Sequence, residues 1–391
     1  MQTMRTGLAI RIICSHLALG LATVAAVPMW WQYLHAGDAQ KGMPWRGKFV
    51  AVHGLYRRLT GARSCNRCVK LLESDQLMLP SDKRMDARWA AEKMATFSAF
   101  CQSNGVRFLY VQLPKKLDVN RRMLPPGVID VSYENADDLL LQLEARGVGV
   151  TDWRPRFAGS PQQVADNFYE SDTHWNNQAS LRAAHDLSAS IAGLCGVEPD
   201  SAARALNLLK PGNWNHKRFA RHFFGSLAKR TGRYFSGADD VMALWPKFRT
   251  DLSLSLPERE HEVSGSFLEI AIPNYLQAIL GSDGQGLPFS AQYAGGDKRF
   301  VRLVNRQAPM DRKVLLIGDS FSRSLRTYLW VAVREIVSID PRKYEPPLNI
   351  ARLVLAERPD IVIQMPTAAS LATDARAGEK RSQPAAFDYG L

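Results

Sequence analysis

A serine stands at a position where a nucleophile could act. Residues Val314–Ile317 are continuously apolar, a pattern typical of a strand buried on both faces. Gly318, Asp319 and Ser320 follow at once, and a helical pattern begins after them. Catalytic groups gather at the carboxyl ends of strands in open α/β sheets, and a helix N-terminus can stabilise an oxyanion. Ser320 is therefore a candidate nucleophile, and its own N–H is a plausible oxyanion donor.

The same residues also suit a simpler role. Asp319, Ser320 and Ser322 are all good helix N-caps, so an ordinary capping motif is the alternative. The segment is not a G-x-S-x-G elbow, because Ser322 replaces the final glycine.

A serine nucleophile needs a base, and the base needs an orienting carboxylate. Among the eight histidines, His174 stands two residues after Asp172 in a polar loop that precedes a helical pattern. In an extended loop these two side chains can point to the same side, so Asp172 could orient the imidazole. An acidic helix cap beside an incidental histidine, or a metal site, are the alternatives. A metal site is disfavoured because no second close carboxylate or histidine accompanies the pair, and no cofactor is expected.

Strands and helices alternate around these motifs. The patterns predict helices over 81–104, 136–146, 177–194, 323–333 and 348–357, and strands over 106–112, 147–151, 314–317, 336–339 and 361–364. Such alternation predicts a flavodoxin-like α/β fold, a parallel sheet with helices on both faces.

The chain divides into four predicted regions. Residues 1–35 form an N-terminal membrane anchor or signal segment, and residues 36–80 form an irregular juxtamembrane segment. Residues 81–372 form the catalytic domain, with an irregular insertion or lid at about 210–311. Residues 373–391 form a polar, loose tail.

The N-terminal region predicts the compartment. Arg5 and Arg11 precede an apolar run over 12–31, which at 1.5 Å per residue spans about 30 Å, the thickness of the bilayer core. Basic residues lie before the run and none lie immediately after it, which predicts a body outside the cytoplasm. A retained inner-membrane anchor is favoured over a cleaved signal peptide, for which Thr23 and Ala25 offer a site, and over a buried helix.

Four of the five cysteines lie beyond the apolar run. Cys65 and Cys68 form a C-x-x-C without a second pair at zinc-ribbon spacing. A structural disulfide, loose thiols, and redox or metal chemistry all stay open for this pair, whereas Cys101 lies on an apolar helix face and can simply pack there.

Composition and net charge restrict the classes of molecule that the protein could bind. Hydrophobic residues make up 46% and charged residues 23%, which excludes a mainly disordered chain. The net charge of +12 suits acidic polymers, anionic lipids or nucleic acid. Nucleic acid is disfavoured because the chain has no run of five or more basic residues and no zinc-finger spacing.

The two motifs together resemble one known family. Asp172-Thr173-His174-Trp175 and the segment 318–322 (Gly-Asp-Ser-Phe-Ser) are similar to the paired signatures of the alginate O-acetyltransferases of the AlgJ and AlgX type. These are circularly permuted SGNH-hydrolase-like domains, and the order and separation of the motifs match. Pro114-Lys115-Lys116 also resembles the early Pro-x-Lys region of that family. The resemblance implies that Ser320 is the nucleophile, His174 the base and Asp172 its orienting carboxylate.

The resemblance implies an O-acetyltransferase of a periplasmic polysaccharide, alginate or a related polymer, that acts through an acetyl-serine. It also implies a membrane-bound O-acyltransferase as the partner that relays acetyl groups, since acetyl-CoA is cytoplasmic. Two other functions stay open at this point: a carbohydrate acetyl esterase, and a catalytically silent glycan-binding or assembly subunit.

Overall fold

The computed structural model describes residues 46–65, 69–72, 74–273, 293–344, 347–372 and 387–391. The strands are β1 (Ser64–Cys65), β2 (Val69–Leu71), β3 (Leu77–Met78), β4 (Arg107–Gln112), β5 (Val150–Asp152), β6 (Trp214–Phe223), β7 (Asp239–Pro246), β8 (Leu252–Leu256), β9 (His261–Gly265), β10 (Phe300–Asn305), β11 (Met310–Gly318), β12 (Val333–Ile339) and β13 (Ile361–Met365). The α-helices are α1 (Arg46–Leu59), α2 (Ala87–Ser103), α3 (Ser132–Glu144), α4 (Arg154–Ala158), α5 (Pro161–Asn167), α6 (Asn177–Leu194), α7 (Pro199–Leu208), α8 (Ser226–Thr231), α9 (Arg233–Ser236), α10 (Phe267–Ile270), α11 (Ser320–Leu329) and α12 (Ile350–Glu357).

The central sheet has a parallel half and an antiparallel half. Among the described residues, eight strands follow the order β5-β4-β13-β11-β12-β10-β8-β9. The pairs from β5 to β12 are parallel, and the pairs from β12 to β9 are antiparallel. Residues 314–318 of β11 and all of β13 are buried, as continuous apolar runs predict. The predicted α/β fold with helical layers is confirmed, and the predicted parallel pairing holds from β5 to β12, whereas β10, β8 and β9 add an antiparallel part that was not predicted.

The connections around β11 open a crevice at one end of the sheet. The chain leaves β11 through α11 to β12 on one side, and returns through α12 to β13 on the other side. Connections that depart in opposite directions leave a gap above the carboxyl ends of the two strands. Ser320 follows β11 and Thr367 follows β13, so the topology places both residues at this gap.

Helix caps decide where two predicted helices begin. Helix α6 covers the predicted residues 177–194. Helix α2 begins at Ala87 instead of Ser81, because the Asp86 side chain accepts a hydrogen bond from Trp89 N, whereas Ser81 N binds the carboxylate of Asp130. Helix α11 begins at Ser320, three residues before the predicted start.

The segment 210–311 is more regular than its sequence indicated. Strands β6 and β7 form a separate antiparallel pair, and β8, β9 and β10 widen the central sheet. Buried and part-exposed residues alternate along β10, as expected for an antiparallel strand covered mainly on one face. The prediction of an irregular insertion is therefore wrong over its described part, and residues 274–292 lie outside the described ranges.

The segment 36–80 is also more ordered than predicted. From residue 46 onward it forms helix α1 and the three-stranded sheet β1-β2-β3. Helix α1 packs against α8 and α9. The irregular stalk predicted for these residues is wrong over its described part, because the segment is anchored to the 210–311 region.

The end of the predicted loose tail packs into the core. Phe387 and Tyr389 are buried, and the Tyr389 ring stacks on Phe97 with ring centroids 4.1 Å apart. The Tyr389 hydroxyl donates a hydrogen bond to Gln364 Oε1 at 2.6 Å. Two aromatic side chains supply enough apolar surface to hold these residues, so the prediction of a loose tail is wrong for 387–391.

The predicted membrane segment over 12–31 and Cys68 lie outside the described residues. Within the ranges given above, no helix has both the length and the apolar character needed to cross a bilayer. Cys101 is buried in the core cluster, as its place on an apolar helix face predicted.

Candidate active site

The turn between β11 and α11 presents Ser320 at the crevice. A Cβ atom on Gly318 would lie 2.5 Å from Ser322 Oγ, so only glycine lets the chain turn this closely. Asp319 is the N-cap residue, and its Oδ1 accepts a hydrogen bond from Phe321 N at 3.0 Å. Because Asp319 performs the capping, the Ser320 hydroxyl is not needed for that role.

Asp319 also ties this turn to the next strand. Its Oδ2 accepts hydrogen bonds from Thr367 N at 2.8 Å, Thr367 Oγ1 at 2.7 Å and Ser370 Oγ at 2.8 Å. The Asp319 side chain is 4% exposed, and these donors balance the loss of water around the carboxylate. The ends of β11 and β13 are thereby joined below Ser320.

His174 reaches this serine from a distant part of the chain. Its Nε2 lies 2.6 Å from Ser320 Oγ, across 146 residues of sequence. The imidazole also packs against the Phe321 ring, with ring centroids 5.1 Å apart. The neighbouring Trp175 donates a hydrogen bond from its indole nitrogen to Ser324 Oγ at 2.7 Å, which fixes the histidine loop to helix α11.

Asp172 holds the other side of the imidazole. Its Oδ1 contacts His174 Nδ1 and accepts a hydrogen bond from His174 N at 3.0 Å. Its Oδ2 accepts a hydrogen bond from Ser226 N at 2.5 Å. Burial by itself raises the pKa of this carboxyl, but the imidazole and the donated hydrogen bonds outweigh it, so the pKa lies well below its ordinary value. Asp172 is therefore ionised at neutral pH.

The three sequence candidates thus form one hydrogen-bonded chain from carboxylate to imidazole to hydroxyl. The alternative of an acidic cap on helix α6 is not what the structure shows, since Asn176 caps that helix and accepts a hydrogen bond from Ala179 N at 2.9 Å. Across the part of the chain that the structure describes, no group of three His, Cys, Asp or Glu side chains is placed to hold a metal ion.

Groups that sequence reasoning did not assign hold the loop that carries Asp172. Residues 168–175 close on themselves through an isolated antiparallel bridge between Phe168 and Trp175. The Lys116 ammonium, the Asp239 carboxylate and the backbone N–H groups of Gly225 and Ser226 then bind this loop from outside. The Pro-x-Lys region was the only signal for Lys116, and no local pattern pointed to the other three.

Two concave regions flank the loop. A cavity of about 200 Å³ borders Thr173 and Phe321, the sequence neighbours of His174 and Ser320. A larger groove of about 1040 Å³ lies on the far side of the loop, between helix α6 and the β6–β7 pair.

Comparison with known proteins finds an SGNH-hydrolase-like family that is similar to part of this chain. Residues 71–215 match the family model described as SGNH hydrolase-like domain, acetyltransferase AlgX. The resemblance to the AlgJ/AlgX-like acetyltransferases stated from the two motifs is thereby confirmed. The matched residues include Asp172 and His174 but end before Ser320, which the tertiary structure brings to them. Comparison with curated protein sequences gives no match.

Solved structures share the fold at low sequence identity. PatB1 from Bacillus cereus has a TM-score of 0.60 and 15% identity, over 76% of this chain and 95% of that chain. A DHHW family protein from Eubacterium siraeum has a TM-score of 0.52 and 14% identity, over 76% of this chain and 92% of the other. The fold therefore extends well beyond the residues that match the family model.

Substitution of Gly225 tests how closely helix α8 packs against the loop that carries Asp172. A Cβ atom there would lie 2.4 Å from Ser171 O and 2.5 Å from Asp172 Cβ, so Gly225→Ala forces helix α8 away from the loop. We expect the free energy of unfolding to fall by about 1–3 kcal/mol, as in overpacked cores. Urea denaturation measures it, with Gly212→Ala as the control, since a Cβ there meets nothing within 4 Å. Equal stability of the two variants would contradict the close packing.

Proposed function

We propose that this protein is an O-acetyltransferase that acetylates hydroxyl groups of an extracytoplasmic polysaccharide through an acetyl-serine. The observation that carries the proposal is the chain Asp172–His174–Ser320, with 2.6 Å between His174 Nε2 and Ser320 Oγ. The acetyltransferase description of the family model over residues 71–215 supports the choice of acetyl as the transferred group.

In the first half of the reaction, Ser320 Oγ attacks the carbonyl carbon of an acetyl ester. His174 Nε2 takes the serine proton, and the charge of Asp172 stabilises the imidazolium that forms. The N-terminal N–H groups of helix α11, Ser320 N among them, would stabilise the oxyanion. The intermediate then collapses, the donor's oxygen leaves with the proton from His174, and an acetyl-serine is left.

In the second half, a sugar hydroxyl attacks the acetyl-serine. His174 takes the proton of this hydroxyl, the bond to Ser320 Oγ breaks, and the serine oxygen regains the proton. No cofactor takes part in this scheme, because both halves exchange one ester for another. Attack by water instead would make the protein an acetyl esterase, so the acceptor decides the function.

The N-terminal sequence and the net charge support a proposal for the compartment, the acetyl donor and the acceptor polymer. The apolar run over 12–31 would anchor the protein to the inner membrane, with the catalytic domain in the periplasm. The donor would then be a membrane-bound O-acyltransferase that relays acetyl groups outward. The net charge of +12 favours an acidic polymer such as alginate as the acceptor.

The test of this function uses the purified full-length chain with an activated acetyl ester, with and without oligosaccharide acceptors. We expect an acetylated oligosaccharide by mass spectrometry, and an acetyl group on the Ser320 peptide after rapid quenching. Release of free acetate alone, at the same rate with every acceptor, would instead support an esterase. A protein that binds the glycan but forms no acetyl-serine would support the silent subunit.

Substitutions of Ser320 and His174 should lower the rate of ester turnover without multiplying each other's effects. Ser320→Ala and His174→Ala should each remove nearly all ester turnover, and the double variant should be no worse than either, since both residues serve the same step. Steady-state rates of ester hydrolysis measure this. Multiplicative losses in the double variant, or an active single variant, would remove the pair from the mechanism.

Substitution of Asp172 distinguishes its role in orienting His174 from a role in folding. Asp172→Asn keeps the shape of the side chain but removes the charge and favours the wrong imidazole tautomer, so kcat should fall on the order of 10³–10⁴-fold. The melting temperature should change much less, because one amide oxygen can still accept a hydrogen bond. Asp138→Asn, the same change at an exposed residue of helix α3, is the control and should keep its rate. A fully active Asp172→Asn enzyme would rule out the role.

A further inference from the structure

Lys116 binds the backbone of the loop that carries Asp172. It lies just beyond the carboxyl end of β4 and is 2% exposed. Its Nζ donates hydrogen bonds to Tyr169 O at 2.8 Å, to Glu170 O at 2.9 Å and to Asp172 O. A protonated lysine has three N–H donors, and all three are used on this loop.

Asp239 binds the same loop through its donors. The carboxylate accepts hydrogen bonds from Glu170 N at 2.5 Å, from Ser171 N at 3.0 Å and from the Ser171 hydroxyl. Asp239 is the first residue of β7 and is 6% exposed. A buried cation therefore binds three of the four carbonyls of residues 169–172, and a buried anion binds two of their N–H groups.

We propose that Lys116 and Asp239 are positioning residues that hold the loop 169–172 by its backbone and so fix Asp172 against His174. This inference rests on the proposed function, in which that contact activates Ser320. The hydrogen bond from Lys116 to the carbonyl of Asp172 itself makes the connection direct. The hydrogen bonds of Lys116 and Asp239 described above all go to this loop, so their effect on His174 passes through Asp172.

The charge of Lys116 matters because of the count of its donors. A neutral amine has two N–H donors and a lone pair, so one of the three carbonyls would lose its bond to Nζ and face the lone pair, although Glu170 O also accepts a hydrogen bond from Leu77 N at 2.9 Å. Burial lowers the pKa of Lys116 to about 8, against the opposing effect of the carboxylates of Asp239, Asp172 and Glu170. Lys116 also borders the cavity of about 200 Å³, where the other charged lining residues are Asp82, Lys83 and Lys115.

Asp239 faces the larger groove as well as the loop. Burial raises its pKa to about 6. The charged and titratable residues that line the groove with it are Glu170, Arg218, Arg221, His222, Arg233 and Asp240. The loop therefore has both charged partners only between about pH 6 and pH 8.

Above about pH 8, the effect of Lys116 deprotonation on stability has the opposite sign to its expected effect on activity. Above about pH 8 the folded protein loses the Lys116 proton while the unfolded chain, with an ordinary lysine pKa, keeps it. Linkage then makes this group's contribution to stability rise with pH, because the unfolded state binds more protons. Above about pH 8, loss of the Lys116 proton should therefore lower activity without lowering the free energy of unfolding.

The experiment compares the full-length wild type with Lys116→Met and with the control Lys313→Met. Lys313 is also largely buried and ion-paired, with Glu335 and Glu357, at the opposite end of β11 from the site. We expect Lys116→Met to lower kcat for an activated acetyl ester about a hundredfold with little change in KM, as for a displaced catalytic group. Its rate should lack the fall above pH 8, and Lys313→Met should match the wild type in both respects.

A second measurement does not depend on turnover. The proton shared by His174 Nδ1 and Asp172 should give a far-downfield NMR resonance in the wild type and in Lys313→Met, and not in Lys116→Met. Loss of this resonance in Lys116→Met, together with a wild type that shows the resonance but turns over no ester, would leave the positioning role standing and reject the proposed function. An unchanged resonance and unchanged kcat in Lys116→Met would overturn the positioning role. Should Lys116→Met not fold, Asp239→Ala takes its place, and an unchanged resonance with unchanged kcat in that variant would overturn the positioning role equally.

Discussion

The site depends on one buried carboxylate that is kept charged. Asp172 is 1% exposed, and an isolated carboxylate in such a place would take up a proton instead of ionising. Its two oxygens instead receive the imidazole and the N–H of His174 on one side and the N–H of Ser226 on the other. The same contacts that keep the charge also fix the direction of the imidazole, so the electrostatic and the geometric requirements are met together.

That carboxylate is supported by parts of the chain that are remote from one another. Lys116 comes from the end of β4, Ser226 from the start of α8 and Asp239 from the start of β7. The last two belong to the 210–311 region, which therefore forms part of the support of the site and not only a cover over it. Gly225 permits this approach, because any larger residue would meet the backbone of Ser171.

The serine side of the site is built by simpler means. One strand, one glycine and one capping aspartate place Ser320 at the first turn of α11, and the bonds from Asp319 to Thr367 and Ser370 join the ends of two neighbouring strands. All of these residues except the last two lie within a few positions of each other in sequence. The local order explains why a pattern search finds the serine and why it does not find the groups that hold the aspartate.

Features that depend on near neighbours in the chain were predictable from the sequence alone. The apolar run before Gly318, the helix over 177–194 and the short motif from Asp172 to His174 are set by burial on both faces, by helical periodicity and by adjacency. Three features required the folded structure: the contact of His174 with Ser320 across 146 residues, the binding of one loop by Lys116 and Asp239, and the antiparallel strands that extend the sheet. The closure of Phe387 and Tyr389 over the core required it as well. These depend on which surfaces meet after the chain has folded, and a contact between distant residues leaves no periodic trace in either segment alone.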